Sequence, residues 1–85
     1  MIYDLVYTYR AEKDIKKLDP SVKRQIKNAI LKLQDNPLEY SEKLTDPKIG
    51  TYRFRTGDYR VIFDIEGRDI VILKVGHRKE IYKRG

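Results

Sequence analysis

The sequence predicts an α+β fold with an N-terminal strand and a two-helix hairpin packed on one face of a mainly antiparallel four-stranded sheet. Three observations predict it. Residues 2–9 carry apolar and β-branched side chains at strand spacing, residues 11–33 carry apolar ones three or four apart, and residues 50–75 alternate around two glycine-containing turns. Elements in this order can cover one sheet face with helices and leave the other partly open.

The first strand is predicted over residues 2–9 (IYDLVYTY), where aromatic and β-branched residues predominate. The period changes at Tyr9, so a helix is predicted to begin there. Its apolar residues are spaced to share one face of a helix. They are Ala11, Ile15 and Leu18.

A second helix is predicted between Asp19-Pro20 and Asn36-Pro37. Proline disfavours a helical conformation in the residue before it, and Asp19 can cap the new helix with Pro20 at its first position. The apolar stripe of this helix comprises Val22, Ile26, Ala29, Ile30 and Leu33. The cations between them are predicted to point outward, namely Lys23, Arg24, Lys27 and Lys32.

Residues 37–49 show no sustained period and contain two of the three prolines, so they are predicted to form a loop. Tyr40 and Leu44 are expected to attach this loop to the core. Three strands are then predicted at about 50–55, 58–65 and 69–75, separated by tight turns in which glycine permits a positive φ.

The composition bounds the function. Eighty-five residues predict a single domain over residues 1–85. The absence of cysteine excludes disulfides and thiolate chemistry, and a single histidine disfavours a multi-ligand zinc site, so no metal or cofactor is expected. No apolar run approaches the roughly 20 residues that span a bilayer, and no signal peptide is recognisable. The expected location is the cytoplasm, without a membrane partner.

The net charge of +6 is unevenly distributed along the chain. Residues 1–42 contain eight Lys/Arg and seven Asp/Glu, a balance of +1, whereas residues 43–85 contain eleven and six, a balance of +5. A basic half joined to a nearly neutral one indicates an anionic partner for one face. The alternative is charge that serves solubility alone.

The segment GTYRFRTGDYRVIF (50–63) contains three arginines within two predicted strands. Alternation places Arg53 and Arg55 on one sheet face, and a tight turn can bring Arg60 beside either of them. Like charges opposite each other are destabilising, which favours an external anion. The alternative is neutralisation by surface ion pairs with Asp58, Asp64 and Asp69.

The terminal segment GHRKEIYKRG (76–85) contains further polar side chains suited to phosphoryl chemistry. Guanidinium groups bind phosphate oxygens bidentately, and imidazole or phenol groups can transfer protons. The candidates there are His77, Arg78 and Tyr82.

The motifs YRFRTGDYRVIF and VGHRKEIY, together with the helical hairpin, resemble the RelE branch of the RelE/ParE toxin superfamily over nearly the whole chain. The resemblance implies the toxin of a type II toxin–antitoxin system. Such toxins are ribosome-dependent endoribonucleases that cut messenger RNA in the decoding site. The implied partners are the ribosome, messenger RNA and a cognate antitoxin that is acidic and partly disordered, in a hetero-oligomer.

The resemblance also assigns roles by position. Arg53 matches a residue that activates the attacking hydroxyl, Arg60 the phosphate-stabilising arginine and Arg78 the residue that assists the leaving oxygen. Tyr82 matches the tyrosine that places the substrate base, and proton transfer falls to His77, Tyr82 or the ribosome. Further cations are expected to bind the RNA: Lys43, Lys48, Arg55, Lys79 and Lys83.

The chain departs from the pattern of this branch at three positions. Thr45 and Thr51 stand where basic residues can occur, and His77 stands where lysine can occur. Two alternatives therefore stay open. One is a ParE-like toxin that binds and inhibits DNA gyrase without cleaving RNA, and the other is an inactive homologue that acts as a binding module.

Overall fold

The computed structural model describes residues 3–44 and 51–81. The elements follow one another as β1 (Asp4–Tyr7), α1 (Tyr9–Lys16), α2 (Pro20–Asp35), β2 (Ser41–Lys43), β3 (Tyr52–Thr56), β4 (Tyr59–Glu66) and β5 (Asp69–His77). The strands form one sheet in the order β1-β5-β4-β3-β2. The β1–β5 pair is parallel and the other three pairs are antiparallel. The predicted α+β class is confirmed, with five strands instead of four.

The additional strand is β2, which lies in the segment predicted to be a loop. Ser41–Lys43 pairs with β3, with Glu42 opposite Arg53. Three residues are too few to show an alternating pattern, and an edge strand of this length forms because β3 offers its free backbone groups. Tyr40 contacts Phe54 edge-on at a centroid distance of 6.2 Å but stays more than half exposed, so it attaches the loop only in part.

The helix boundaries follow the predicted signals. Thr8 caps α1, because its Oγ1 accepts a hydrogen bond from the Ala11 N–H at 3.1 Å. Asp19 occupies the N-cap position of α2 with Pro20 at the start of the helix, although its side chain makes no capping hydrogen bond. Asn36 ends the helix, as predicted.

The two predicted turns are two-residue hairpin loops that begin with glycine. Gly57 and Gly67 have φ values of 59° and 60°, and no other described residue has a positive φ. Glycine at the first loop position with a positive φ is the signature of a type II′ turn, whose twist matches that of the strands it joins. The β3–β4 turn therefore pairs Thr56 with Tyr59 and sets the register of both strands.

The core lies between the helical hairpin and one face of the sheet. Residues from both predicted helical stripes are buried, namely Ala11, Ile26, Ala29, Ile30 and Leu33, and so are Val61 and Phe63 of β4. Partly buried residues pack against them: Ile15, Leu18, Val22 and Tyr59. Within the described residues, no helix has the length and apolar character needed to cross a membrane.

Helix α1 covers the part of β5 that extends beyond β1. The Thr8 Oγ1 donates to the Leu73 carbonyl at 2.8 Å, and Asp14 Oδ2 accepts the Val75 N–H at 3.0 Å. These side chains satisfy backbone groups that an edge strand would otherwise expose. The covered end of β5 is thereby fixed next to the C-terminal turn.

Candidate functional site

Three arginines lie together on the sheet face that the helices leave uncovered. Arg55 pairs directly with Arg60, and Arg53 is two residues away on the same strand. Paired residues share a face, whereas the adjacent Phe54 and Val61 belong to the core. The register of β3 and β4 confirms the prediction that Arg60 lies beside Arg53 or Arg55 on one face. We call this surface the arginine face.

Arg60 is the most unusual of the three because it is buried, with only 8% of its surface exposed. Its Nη1 donates to the carbonyl oxygens of Gly57 at 2.9 Å and Tyr59 at 2.8 Å. It forms no salt bridge with any carboxylate of the described residues. A buried charge opposite a second arginine, without a direct ion pair among the described residues, is costly, and an anion bound there would remove much of that cost.

Glu42 on β2 forms ion pairs with the other two arginines. Its Oε2 accepts a hydrogen bond from Arg53 Nη2, and its Oε1 lies 3.7 Å from Arg55 Nε. The hydrogen bond and charge of Arg53, then the charge of Arg55 and, to a smaller extent, the charge of Arg60 hold the pKa of Glu42 below its ordinary value. The arginine face thus contains an ionised carboxylate that the sequence analysis did not identify, because Glu42 lay in a predicted loop.

The three aspartates predicted to neutralise the arginines contribute little. Within the described residues, only Asp58 among them forms a salt bridge, with Arg78 at 3.6 Å. Asp64 instead accepts the Thr51 N–H at 2.8 Å. The ion-pair alternative therefore holds for Arg53 and Arg55 through a different carboxylate, and it does not hold for Arg60.

Arg78 lies next to the β3–β4 turn on which Arg60 also depends. Its backbone N–H donates to the Asp58 carbonyl at 2.7 Å, and its Nε lies 3.6 Å from Asp58 Oδ1. The Arg60 guanidinium donates to the carbonyl of Gly57, which is the residue before Asp58. Two arginines eighteen positions apart in the sequence are thus held by neighbouring residues of one turn.

A C-terminal turn follows β5 and folds back over its last residues. The N–H groups of Glu80 and Ile81 both donate to the His77 carbonyl at 2.9 Å. Ile81 is buried, and a Cβ on Gly76 would lie 3.1 Å from its Cδ1. Gly76 pairs with Arg60, so the absence of a side chain at this position admits Ile81 beside the arginine face.

Tyr82, the predicted substrate-placing residue, immediately follows Ile81. It lies outside the described residues, as do two of the predicted RNA-binding lysines, Lys48 and Lys83. Lys79 lies in the C-terminal turn and is exposed.

His77 lies on the helix-covered side of the sheet and not on the arginine face. It pairs with Tyr59, whose ring it contacts edge-on at 5.5 Å, and its Nδ1 accepts the Lys79 N–H at 3.1 Å. It borders a cleft of about 430 Å³ formed with α1. Lys43, which pairs with Tyr52, is also on the helix-covered side.

A β-bulge explains why His77 faces this way. Ile62 pairs with Lys74, but the next residue, Phe63, pairs with Ile72, so Leu73 is an extra residue in β5. The extra residue reverses the alternation of every position after it. Lys74 and Gly76 consequently share the arginine face, while His77 turns to the other side.

Lys74 is a second residue of the arginine face that the sequence analysis missed. Burial and, to a smaller extent, the charge of Arg10 lower its pKa, and Asp14 partly opposes them. The available signal was a charged residue within the apolar strand VILKV.

A larger groove of about 690 Å³ lies on the helix side, between β1 and the helical hairpin. It contains apolar residues from both helices and is bordered by four lysines: Lys13, Lys16, Lys23 and Lys27. It shares no residue with the arginine face. Within residues 3–44 and 51–81, no group of His, Asp or Glu side chains is arranged to hold a metal ion.

Comparison with known proteins relates this architecture to toxins. A family model described as the ParE toxin of a type II toxin–antitoxin system matches residues 5–82. Toxin RelG from Mycobacterium tuberculosis is 34% identical over 87 residues, covering 99% of this chain and 100% of that protein. Toxin RelE3 from Methanocaldococcus jannaschii is 34% identical over 74 residues, covering 82% and 84%.

A solved structure has the same fold. A chain of the toxin–antitoxin complex RelBE2 from Mycobacterium tuberculosis superposes with a TM-score of 0.83 at 30% identity. The match covers 92% of the present chain and 100% of the other.

Proposed function

Because the chain belongs to the RelE/ParE superfamily of type II toxin–antitoxin toxins, in its RelE-like branch, we propose that it is a ribosome-dependent endoribonuclease. It cleaves messenger RNA during translation in the cytoplasm and thereby arrests growth. The observation that carries this proposal is Arg60, a buried guanidinium on the arginine face without a carboxylate partner among the described residues.

The reaction is attack of a 2′-oxygen on the adjacent phosphorus. The new bond joins phosphorus to the 2′-oxygen, the bond to the 5′-oxygen breaks, and the products carry a 2′,3′-cyclic phosphate and a 5′-hydroxyl. One proton leaves the 2′-hydroxyl and another reaches the 5′-oxygen. Negative charge builds up on the phosphoryl oxygens in the transition state, so fixed cations there lower the barrier.

Arg60 is oriented for this role by its own backbone contacts. Its Nη1 donates to two carbonyl oxygens, which accounts for both hydrogens on that atom. The Nε and Nη2 groups make no hydrogen bond within the described part of the chain and can bind two phosphate oxygens side by side. Arg55, directly opposite, adds a second charge, and Arg78 assists the leaving oxygen.

Glu42 is the candidate acceptor for the proton of the 2′-hydroxyl. Arginine stays protonated in proteins and is a poor base. In the free protein Glu42 is ionised and held by Arg53 and Arg55. An RNA phosphate that binds these arginines releases the carboxylate, and the charge of the phosphate raises its pKa. Glu42 then becomes a stronger base when substrate is present.

The second proton comes from Tyr82, His77 or a group of the ribosome. His77 lies on the other side of the sheet from Arg60, which makes it the weakest of these candidates. Tyr82 directly follows the buried Ile81 in the sequence and is the candidate that we prefer.

The partner that neutralises the toxin is a cognate antitoxin. The solved RelBE2 structure is a toxin–antitoxin complex, and its toxin-like chain has this fold. We propose that an acidic, partly disordered antitoxin segment orders across the arginine face, where its carboxylates take the place of RNA phosphates. Ordering such a segment costs entropy, but the segment can cover a large surface.

A second candidate function is gyrase inhibition, which the match to a ParE family description favours. Binding to gyrase does not require a buried arginine that lacks a direct ion pair, because no phosphoryl transfer occurs. Fold alone does not distinguish the two functions.

The test is to induce the chain in growing cells, map the ends of translated messengers and measure DNA supercoiling in parallel. New 5′-hydroxyl ends within coding regions, with unchanged supercoiling, are expected. Growth arrest with relaxed DNA and intact messengers would instead identify a gyrase inhibitor. Growth that continues at full expression would identify an inactive homologue.

A further inference from the structure

A glutamine from the second helix contacts the turn that holds both Arg60 and Arg78. Gln25 Nε2 donates to the Thr56 carbonyl at 2.8 Å and lies 3.2 Å from Thr56 Oγ1. It also packs against Gly57, since a Cβ there would lie 2.8 Å from Nε2. Gln25 thus touches the β3–β4 turn from the helix side, opposite the arginines.

Three consecutive carbonyl groups of this turn have three different partners. The carbonyl of Thr56 accepts from Gln25, that of Gly57 from the Arg60 guanidinium, and that of Asp58 from the Arg78 N–H. Gly57 has no side chain, and both loop residues are exposed. The turn therefore has few packing contacts of its own, and these hydrogen bonds fix its position.

We propose that Gln25 is a positioning residue for catalysis, which holds the β3–β4 turn so that Arg60 and Arg78 keep their relative placement. Gln25 touches neither arginine in the described contacts, so it acts through the backbone of the turn. Its neighbour Ile26 is buried, which makes this part of α2 a rigid support. The inference rests on the proposed endoribonuclease function.

The consequence is that one contact controls two arginines. If the turn shifts, the carbonyls of Gly57 and Asp58 move together, and both cations move relative to the scissile phosphate. A misplacement of about 1 Å can cost on the order of 10²-fold in rate. Substrate affinity should change less, because Arg55 and the exposed lysines do not depend on this turn.

The chain contains a matched control on the same helix. Gln34 donates through Nε2 to the Tyr3 carbonyl at 2.8 Å, and it is partly buried like Gln25. Replacing either glutamine of α2 by alanine removes a side-chain hydrogen bond to a backbone carbonyl, and Gln25→Ala also removes the 3.2 Å hydrogen bond to Thr56 Oγ1. Only Gln25 is in contact with the turn of the arginines.

The experiment compares wild type, Gln25→Ala, Gln25→Glu and Gln34→Ala in single-turnover cleavage of ribosome-bound messenger. Gln25→Glu keeps the volume but replaces the donor by an acceptor. Both Gln25 variants should lower the rate at saturating complex by about 10- to 100-fold with little change in half-saturation. Gln34→Ala should cleave at the wild-type rate. Equal rates for Gln25→Ala and Gln34→Ala, with similar melting temperatures, would overturn the proposal.

A second readout does not depend on activity. In ¹H–¹⁵N spectra of the labelled toxin, Gln25→Ala should shift the Arg60 guanidinium and the Arg78 amide signals, whereas Gln34→Ala should leave them in place. Unshifted signals in Gln25→Ala would refute the positioning role. If wild type does not cleave ribosome-bound messenger, the proposed function fails, while these spectra still decide whether Gln25 controls the two arginines.

Discussion

Arg60 combines burial, a fixed orientation and the lack of a carboxylate partner within the described residues. A charge buried opposite Arg55 without a direct ion pair costs stability, because both burial and repulsion oppose it. The two carbonyl contacts reduce that cost and orient the remaining N–H groups. The function proposed for Arg60 therefore opposes stability.

Replacing Arg60 should abolish activity without unfolding the protein. Loss of one preorganised donor to a developing oxyanion costs about 10²–10³-fold in rate, so Arg60→Ala should lose toxicity and cleavage. Arg60→Lys should recover only part of the cleavage activity, since an ammonium group cannot bind two phosphate oxygens in parallel. The control is Arg24→Ala, which removes an exposed charge from α2. Comparable cleavage by Arg60→Ala and Arg24→Ala would remove Arg60 from the mechanism.

Glu42 gives a prediction about pH. Arg53 and Arg55 lower its pKa from the ordinary 4.5, so the folded state favours the ionised form. The resulting stabilisation is fully present above pH 4.5 and is lost as the pH falls through the lower folded-state pKa. Wild type should therefore have a higher melting temperature than Glu42→Gln at neutral pH, and the difference between the two melting temperatures should shrink on acidification. A difference that grows at low pH would contradict this sign.

The same substitution separates binding from chemistry. Glu42→Gln removes a carboxylate that competes with RNA phosphates for Arg53 and Arg55, so the affinity for RNA should rise. If Glu42 accepts the proton, the cleavage rate should fall by about 10²–10⁴-fold, the usual contribution of a positioned base. Filter binding of an RNA oligonucleotide and ribosome-bound cleavage measure the two effects. If the variant binds RNA more tightly and cleaves as fast as wild type, Glu42 is not the base and acts only as an anion that competes with RNA.

Among the elements, the long periodic ones could be predicted and the short irregular ones could not. Helix α2 has sixteen residues, and its apolar stripe, its N-terminal proline and its end at Asn36 all agree with the prediction from the sequence. Strand β2 has three residues, and its pairing depends on β3, so no local pattern indicates it. The bulge at Leu73 is equally invisible in the sequence, and it decides that Lys74 and not His77 shares the face of Arg60.

The role of the β3–β4 turn in cleavage can be tested by comparison with the β4–β5 turn, which has the same backbone conformation at its glycine. Gly57 and Gly67 share a positive φ, so either glycine-to-alanine change should cost about 1–3 kcal/mol in backbone strain. A Cβ on Gly57 would also meet Gln25 Nε2 at 2.8 Å, whereas one on Gly67 meets nothing within 4 Å. Gly57→Ala should therefore lose cleavage activity well beyond its loss of stability. Equal losses of activity in the two variants would show that the β3–β4 turn has no specific role in positioning the arginines.

At the scale of the whole molecule, the sheet separates stability from function. The helical hairpin covers one face and builds the core, while the arginine face carries charges that a partner or RNA can neutralise. The skew of charge toward residues 43–85 predicted an anionic partner, and the family relationship supports a cognate antitoxin as that partner, while the RNA substrate is our proposal.

The core prediction is independent of the site. Ile30 is 3% exposed and lies in the main cluster, so Ile30→Ala should cost about 2–5 kcal/mol in unfolding free energy. Its neighbour Leu31 is 50% exposed, and Leu31→Ala should stay within about 0.5 kcal/mol. Chemical denaturation measures both. Similar costs for the two variants would be incompatible with the layer arrangement.

Whether the toxin is a ribosome-dependent endoribonuclease can be decided by incubating the purified protein with one messenger, either free or bound to translating ribosomes, and sequencing the product ends. In the proposed mechanism the ribosome holds the RNA in attack geometry, so we expect cleavage of the bound messenger, with 2′,3′-cyclic phosphate and 5′-hydroxyl ends. Free messenger should be cut far more slowly, and Arg60→Ala should cut neither. Intact ribosome-bound messenger at toxin concentrations that arrest growth would refute the proposed function.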